Sequence, residues 1–151
     1  MLLFDCDGVL TDGRLYYGES GEVLKVFDVR DGLGIVRWHE AGLVSGIISG
    51  RNSPIVERRA GELRMRFVRQ GVEDKLAVAS EIFVECGVSP DEVVYVGDDL
   101  PDIPLIKAVG IGVAVADAAA EVRDAADLVT QAPGGRGAVR ELIDLLIVAK
   151  T

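Results

Sequence analysis

Long apolar runs, cysteine and positive charge are all scarce in this sequence. No run reaches the roughly 18 apolar residues of a membrane helix, and the start lacks a basic flank followed by a signal-type apolar segment. We therefore expect a cytoplasmic protein with no membrane partner. The two cysteines, Cys6 and Cys86, are too few for a disulfide framework and lack zinc-ligand spacing, so we expect free thiols.

The shortage of positive charge limits the choice of partners. Lys and Arg together number 16 against 25 Asp and Glu, which gives a net charge of -9. Nucleic-acid binding depends on clustered Lys and Arg, so we expect no nucleic-acid partner. An acidic protein that handles anions must concentrate its few cations locally. Each basic residue near a predicted strand end is therefore a candidate for the functional site.

The hydrophobic pattern predicts the fold. With 151 residues, 49% of them hydrophobic, we expect one domain, residues 1–151. Short apolar runs alternate with helical patterns, which predicts a doubly wound, mostly parallel α/β sheet in three layers. Ligands collect at the carboxyl ends of the strands in such sheets. The predicted strands are 2–4, 43–49, 65–68, 93–96, 111–115 and 128–130; the predicted helices are 31–41, 54–63, 75–86, 119–126 and a last helix after a flexible turn at 133–137.

Two carboxylates, Asp5 and Asp7, end the first predicted strand. Gly8 lets the chain leave the strand, so that both carboxylates can converge on one cation. A hard, oxygen-loving ion such as Mg²⁺ suits them. A solvated Asp-Gly turn would account for the same residues, so the pair alone leaves both interpretations open.

The second core strand ends in a hydroxyl, Ser49, followed by Gly50 and Arg51. Such a turn leaves backbone N–H groups free to hold a phosphate, although an ordinary strand-to-helix turn has the same composition. We expect Ser53 to cap the next helix and Pro54 to begin it.

Lys75 stands in the first turn of a predicted helix, where it opposes the helix dipole. Its position requires either a compensating anion or exposure to solvent.

An acidic segment follows the predicted strand 93–96. Asp98, Asp99 and Asp102 place three carboxylates within five residues. They would repel one another without a neutralising cation, so this segment is the strongest single indication of a metal. A solvated acidic loop is the alternative.

Residues 14–28 predict a β-hairpin, because two β-rich segments flank a Gly-Glu-Ser-Gly turn. A protruding pair of strands would expose edges and apolar surface in a monomer. We therefore predict self-association through this hairpin. The alternative is a flap folded over its own active site. The apolar residues concerned are Tyr16, Tyr17, Leu24, Val26 and Phe27.

Taken together, these motifs resemble the haloacid dehalogenase superfamily of phosphotransferases. The resemblance rests on the start DCDGVLT, on Ser49-Gly50-Arg51, on Lys75 and on Gly97-Asp98-Asp99. More narrowly, the segments GVLTDG, VRDGLGI, GRNSPIVERRA, GDDLPD and APGGRGAVRE resemble the capless 3-deoxy-D-manno-octulosonate 8-phosphate phosphatases. This resemblance implies a three-layer α/β/α Rossmann-like parallel sheet with a hairpin insertion after strand 1 and no cap domain.

The resemblance also implies an Mg²⁺-dependent mechanism. Asp5 would attack phosphorus to form an aspartyl-phosphate, and Asp7 would act as general acid and base. Mg²⁺ would be held by Asp5, the backbone carbonyl of Asp7, and Asp98. Ser49 and Lys75 would bind the phosphoryl oxygens. Asp99 and Asp102 would form a supporting shell around the metal and Lys75.

Substrate contacts and assembly are implied by the same resemblance. The relatives form homotetramers whose hairpins make a central barrel, with a neighbour's segments closing each site. Arginine suits a sugar acid, because its planar fork matches a carboxylate. The implied substrate-contacting residues are Asp28, Val29, Arg30, Asp31, Gly32, Gly50, Arg51, Arg59, Lys75 and Asp99.

Two other functions compete with the octulosonate phosphatase. The first is an acylneuraminate or related nonulosonate 9-phosphate phosphatase, or the phosphatase-like domain of a cytidylyltransferase; Arg51 favours the octulosonate over these. The second is a phosphoryl-receiver signalling module, which also uses an aspartate, Mg²⁺, a hydroxyl residue and a lysine. In receivers, however, the phosphorylated aspartate follows the third strand, whereas Asp5 ends the first.

Overall fold

Six short parallel strands form the centre of the structure, a computed structural model that describes residues 1–150. Single-turn 3₁₀ helices span Pro90–Glu92 and Leu100–Asp102. In chain order the other elements are β1 (Leu2–Phe4), β2 (Tyr16–Gly18), β3 (Gly21–Leu24), α1 (Val29–Glu40), β4 (Ser45–Ile48), α2 (Pro54–Glu62), β5 (Phe67–Arg69), α3 (Lys75–Cys86), β6 (Val94–Gly97), α4 (Ile103–Ile106), β7 (Ile111–Ala114), α5 (Ala120–Ala125), β8 (Leu128–Val129) and α6 (Ala138–Lys150).

The sheet order is β5-β4-β1-β6-β7-β8, which confirms the predicted doubly wound α/β fold. Strands β1, β4 and β6 are buried along their whole length, as expected for parallel strands covered by helices on both faces. The chain builds outward from β1 through β4 to β5, then crosses over to β6 on the other side of β1. The carboxyl ends of β1 and β6 therefore flank the switch point where such sheets bind ligands.

Helices α1 and α6 pack against each other on one face of the sheet, with Ile35 and Trp38 of α1 in the core. Asp31 ties the two helices together: its carboxylate accepts the backbone N–H of Gly137 at 3.2 Å and of Arg140 at 2.8 Å. Asp31 is buried, and burial raises the pKa of its carboxyl group. This carboxylate satisfies backbone donors at the start of α6 that have no partner within the helix.

Several boundaries differ from the predictions for a local reason. Helix α1 begins two residues before the predicted start, because the Asp28 side chain caps it by accepting the N–H of Arg30. Ser53 is the N-cap residue of α2 and Pro54 begins the helix, as predicted. The Ser53 hydroxyl, however, donates to Glu22 of the hairpin and makes no capping hydrogen bond. Strand β5 begins at Phe67, two residues later than predicted.

The hairpin prediction is confirmed: β2 and β3 pair antiparallel as a separate two-stranded sheet. Several of its side chains are exposed, including Tyr17 at 59% and Val23 at 58%, whereas Lys25 is buried at 7%. No cap domain is present among residues 1–150. Over the same residues, no helix combines the length and the apolar character needed to cross a membrane.

Candidate active site

A cavity of about 470 Å³ lies at the carboxyl ends of β1, β4 and β6. The loops after β1, β4, β5 and β6 and the first residue of α3 supply its polar side chains, because parallel strands deliver the residues that follow them to one edge of the sheet. The predicted site residues that line it are Asp5, Asp7, Ser49, Gly50, Arg51, Lys75, Asp98, Asp99 and Asp102.

Lys75 lies between two carboxylates. Its Nζ is 3.0 Å from Asp5 Oδ2 and 2.7 Å from Asp102 Oδ1. Burial would lower the pKa of Lys75, but the charges of Asp5 and Asp102 outweigh burial and raise it. These carboxylates are the compensating anions that its place in the first turn of α3 requires.

Asp102 organises the loop after β6. Its Oδ1 accepts hydrogen bonds from Lys75 Nζ and from Tyr95 Oη at 2.6 Å. Its Oδ2 accepts the backbone N–H of Asp98 at 2.9 Å and of Asp99 at 3.1 Å. Asp102 is fully buried, and both of its oxygens are occupied. Although it lies close enough to be a metal ligand, its carboxylate is committed to positioning the loop and Lys75.

Asp5 and Asp98 have the properties of metal ligands. Carboxylate oxygens of Asp5, Asp98 and Asp102 lie within 4.8 Å of one another, and Asp98 Oδ1 is buried without a hydrogen-bond partner. Burial, with the charges of Asp5 and Asp102, raises the pKa of Asp98 to about 8. Burial and Asp102 raise the pKa of Asp5 to about 6 despite the opposing charge of Lys75. A hard divalent cation would stabilise both anions, so this donor set fits Mg²⁺.

The backbone after Asp7 lies against Asp98. At Gly8, whose φ is +89°, an added Cβ would lie 1.9 Å from Asp98 Oδ2. Only glycine permits this approach, both because of the positive φ and because of the contact. The structure thus brings the Asp7–Gly8 backbone, which supplies the third predicted ligand, next to Asp98.

Asp7 contacts a residue that the sequence analysis missed. Lys25 Nζ, on the hairpin, binds Asp7 Oδ1 and lies 2.9 Å from Glu22 Oε1. On the other side of the carboxylate, Arg51 Nε is 3.8 Å from Asp7 Oδ2. Period-2 alternation places Lys25 on the opposite face from Leu24 and Val26, but no local signal indicates that this face meets the active site.

Ser49 and Arg51 occupy the loop after β4. Ser49 is buried, and its hydroxyl accepts the backbone N–H of Arg51 at 3.4 Å. Arg51 Nη2 donates to the Tyr17 hydroxyl at 2.7 Å, a second link between the hairpin and the cavity. The inner side of the hairpin therefore lies over the active site of its own chain, which is the flap alternative, while its outer side stays exposed.

The other predicted substrate-contacting residues lie outside this cavity in their own chain. Arg59 packs beside the Phe27 ring and against Gly32, with its Nη1 3.3 Å from Glu62 Oε2. The Asp31 carboxylate is engaged at α6, and Arg30 pairs with Asp28 at 2.7 Å. The residues concerned are Asp28, Val29, Arg30, Asp31, Gly32 and Arg59.

The segment 133–137, expected to be a flexible turn, packs against the loop that carries Asp7. An added Cβ at Gly134 would lie 1.7 Å from the Gly8 carbonyl oxygen. Gly135 N–H donates to the Val9 carbonyl at 2.8 Å, and Gly134 N–H donates to Asp117 at 2.8 Å. This turn therefore supports the loop that carries Asp7, a role that depends on packing between distant segments.

Replacing Gly134 with alanine is expected to destabilise the fold by about 1–3 kcal/mol, as overpacking does, and to lower activity by displacing Gly8. Gly61→Ala is the matched control. Gly61 lies in α2 with open space around it, so alanine is expected to stabilise the helix by up to about 1 kcal/mol. Urea unfolding and steady-state phosphatase assays measure both effects. Equal changes in the free energy of unfolding and in phosphatase activity for the two variants would contradict the packing role of Gly134.

A family model described as haloacid dehalogenase-like hydrolase matches residues 56–142. The chain belongs to the haloacid dehalogenase-like hydrolases. Among its curated relatives in this family is the 3-deoxy-D-manno-octulosonate 8-phosphate phosphatase KdsC of Escherichia coli K12. It is 45% identical over 150 residues, which are 99% of this chain and 80% of the relative. The resemblance to these phosphatases is confirmed.

Solved structures of haloacid dehalogenase-like hydrolases share the fold over nearly the whole chain. A probable YrbI family phosphatase from Pseudomonas syringae pv. phaseolica has a TM-score of 0.97 and 48% identity, covering 99% of this chain and 85% of its own. The 3-deoxy-D-manno-octulosonate 8-phosphate phosphatase from Moraxella catarrhalis, solved with magnesium, phosphate and KDO, has a TM-score of 0.95 and 37% identity. That match covers 98% of this chain and 85% of the other.

Proposed function

We propose that this protein is a magnesium-dependent phosphatase that hydrolyses 3-deoxy-D-manno-octulosonate 8-phosphate through an aspartyl-phosphate at Asp5. The observation that carries this proposal is one cavity in which Asp5 is paired with Lys75 while Asp7, two residues further on, is held separately by Lys25. Two carboxylates with different partners can take different chemical roles. The identity to KdsC and the KDO-bound relative support the choice of substrate.

Asp5 would attack the phosphorus in line, forming a bond to Asp5 as the bond to the sugar oxygen breaks. Asp7 would give its proton to that oxygen, then take a proton from the water that hydrolyses the aspartyl-phosphate. Ser49 and Lys75 would bind the phosphoryl oxygens throughout. Bound Mg²⁺, for which Asp5, Asp98 and the Asp7 carbonyl are the candidate ligands, supplies positive charge that stabilises the transferring phosphoryl group.

Arg51 fits a sugar-acid substrate, because it lines the cavity and its side chain is 42% exposed. Its guanidinium can bind the carboxylate of a sugar acid bidentately. The test is the purified protein with Mg²⁺ on three esters: octulosonate 8-phosphate, N-acetylneuraminate 9-phosphate and p-nitrophenyl phosphate. We expect kcat/KM for the octulosonate to exceed the other values by about 100-fold or more, given transition-state discrimination of this size.

Other outcomes of the same assay separate the alternatives. A preference for the neuraminate ester would reassign the substrate. A long-lived phosphoprotein without turnover of any ester would indicate a receiver module and refute the phosphatase.

We propose further that the chain forms a homotetramer through its hairpin, with sites completed by neighbouring subunits. Two observations support this arrangement. The hairpin and the segment after it expose Val23, Leu24 and Val26, and the start of α1 exposes Val29 at 80%. Val29 and Arg30 are exposed and lie outside the cavity of their own chain, so they are available to a neighbour's site. A cytoplasmic location belongs to the same proposal, supported by the free thiols of Cys6 and Cys86.

Val23→Glu is expected to dissociate the tetramer, because it places a charge in an apolar contact of the hairpins. The hairpin also carries Lys25 into the active site, so a point substitution is a cleaner test than deletion. Val84→Glu, at an 83% exposed position on α3, is the matched control. Sedimentation velocity should show a smaller species for Val23→Glu alone. A mass unchanged from wild type would refute assembly through the hairpin.

A further inference from the structure

Lys25 is an unusual lysine because its charged end is buried. The side chain is 1% exposed, and its Nζ contacts one oxygen of Asp7 and one of Glu22. Burial would lower the pKa of Lys25, but the hydrogen bonds to these two carboxylates outweigh burial and raise it. A desolvated ammonium is tolerated only when paired in this way.

The contacts of Glu22 continue from the hairpin to the rest of the site. Glu22 Oε1 binds Lys25, and Glu22 Oε2 accepts the Ser53 hydroxyl at 2.5 Å. Ser53 stands at the start of α2, directly after the loop that holds Ser49 and Arg51. A chain of direct contacts, which we name the hairpin latch, thus runs Asp7–Lys25–Glu22–Ser53 and joins the loops after β1 and β4 through the hairpin.

The hairpin latch orients the carboxylate of Asp7. Within residues 1–150, the ion pairs of Asp7 are with Lys25 at Oδ1 and with Arg51 at Oδ2. Arg51 is 42% exposed and also bound to Tyr17, so it is the looser of the two partners. Lys25 contacts Oδ1 directly and is held from behind by Glu22. Because Oδ1 is occupied by a donor, the oxygen left to carry the transferable proton is Oδ2.

We propose that Lys25 is a positioning residue for catalysis: it holds Asp7 so that Oδ2 delivers its proton to the leaving sugar oxygen. This inference rests on the proposed phosphatase function. A correctly placed general acid contributes about 10²–10⁴-fold to rate, and a displaced one loses part of that factor. In this role, Lys25 of the hairpin influences the proton-transfer step through its contact with Asp7.

Two substrates with different leaving groups can distinguish a positioning role of Lys25 from a purely structural one. A sugar alkoxide needs a proton as it departs, whereas p-nitrophenolate is a stable anion that departs without one. The value of kcat/KM reports the steps up to the first irreversible one, which is the departure of the leaving group. Loss of proton delivery should therefore lower kcat/KM for the sugar phosphate and spare kcat/KM for p-nitrophenyl phosphate.

The experiment compares Lys25→Met, which keeps the length of the side chain and removes its charge, with Lys107→Met at an exposed lysine. We expect Lys25→Met to lower kcat/KM for octulosonate 8-phosphate by about 30-fold or more and for p-nitrophenyl phosphate by less than about 3-fold. Lys107→Met should change neither. Glu22→Gln, which keeps Lys25 but removes the negative charge behind it, should show the same selective loss at smaller size.

The outcomes distinguish a failure of the positioning role of Lys25 from a failure of the proposed phosphatase function. Equal losses on both esters in Lys25→Met and Glu22→Gln, or no loss on either, would overturn the positioning role while leaving the phosphatase intact. If Lys25→Met does not fold, as judged by its thermal transition, Glu22→Gln decides by the same ratio. A wild-type protein that hydrolyses neither ester would overturn the proposed function and this inference with it.

Discussion

Asp5→Asn is expected to abolish phosphatase turnover, with a loss of at least about 10⁴-fold in kcat, as removal of a catalytic nucleophile does in other enzymes. The amide oxygen of asparagine cannot form the ester with phosphorus. The local fold should persist, because the substituted side chain keeps an oxygen that can accept the Cys6 N–H, now bound at 2.7 Å, and Lys75 keeps its bond to Asp102.

Asp91→Asn serves as the matched control for the nucleophile. Asp91 is an exposed aspartate in the 3₁₀ turn before β6, outside the residues that line the cavity. Its variant should retain wild-type turnover. Mass spectrometry of quenched reactions should detect phosphate on the peptide that contains Asp5 in wild type and not in Asp5→Asn. Residual activity above about a tenth of wild type in Asp5→Asn would refute Asp5 as the nucleophile.

Asp102→Ala is expected to lower the free energy of unfolding by about 3–5 kcal/mol, the range for breaking a buried ion pair. The substitution leaves the Tyr95 hydroxyl and two backbone N–H groups without their acceptor, and it removes one of the two anions that stabilise Lys75. Removing Asp102 also relieves its repulsion of Asp5 and Asp98, which offsets part of the loss. The unpaired buried donors outweigh that relief, because each costs about 1–3 kcal/mol.

Tyr95→Phe provides the graded comparison for Asp102→Ala. It removes a single hydrogen bond to Asp102 and should lower the free energy of unfolding by about 1 kcal/mol. Urea unfolding without Mg²⁺ measures both variants, because a bound ion would add its own stabilisation to the folded state. A loss below about 1 kcal/mol for Asp102→Ala would show that the carboxylate is not the organising group of this loop.

The meeting of Asp5, Ser49, Lys75 and Asp98 in one cavity was predictable because each follows a recognisable strand or begins a recognisable helix. Asp5, Ser49 and Asp98 come directly after buried apolar runs, and Lys75 opens α3. A parallel sheet brings the ends of its strands to one edge, so sequence position alone predicts that these side chains meet. The glycines at positions 8 and 97 mark the same strand ends.

Other parts of the site depend on contacts between segments that carry no local signal. Gly134 supports the Asp7 loop because two turns about 125 residues apart pack backbone against backbone. Ser53 has the sequence of a helix cap, yet its hydroxyl binds the hairpin. Asp31 lies in the segment expected to line the sugar, and its carboxylate instead anchors α6.

Residue order alone therefore predicts the α/β fold, the cation-binding edge of the sheet and the chemistry available there, because strand and helix periodicity are local and parallel strands align their ends. The partner of each charged group is known only from the folded chain: Lys25 meets Asp7, and both oxygens of Asp102 are occupied. These pairings follow from how the hairpin and loops pack in three dimensions. A buried charge takes whichever opposite charge lies within reach, and that distance is not encoded in neighbouring residues.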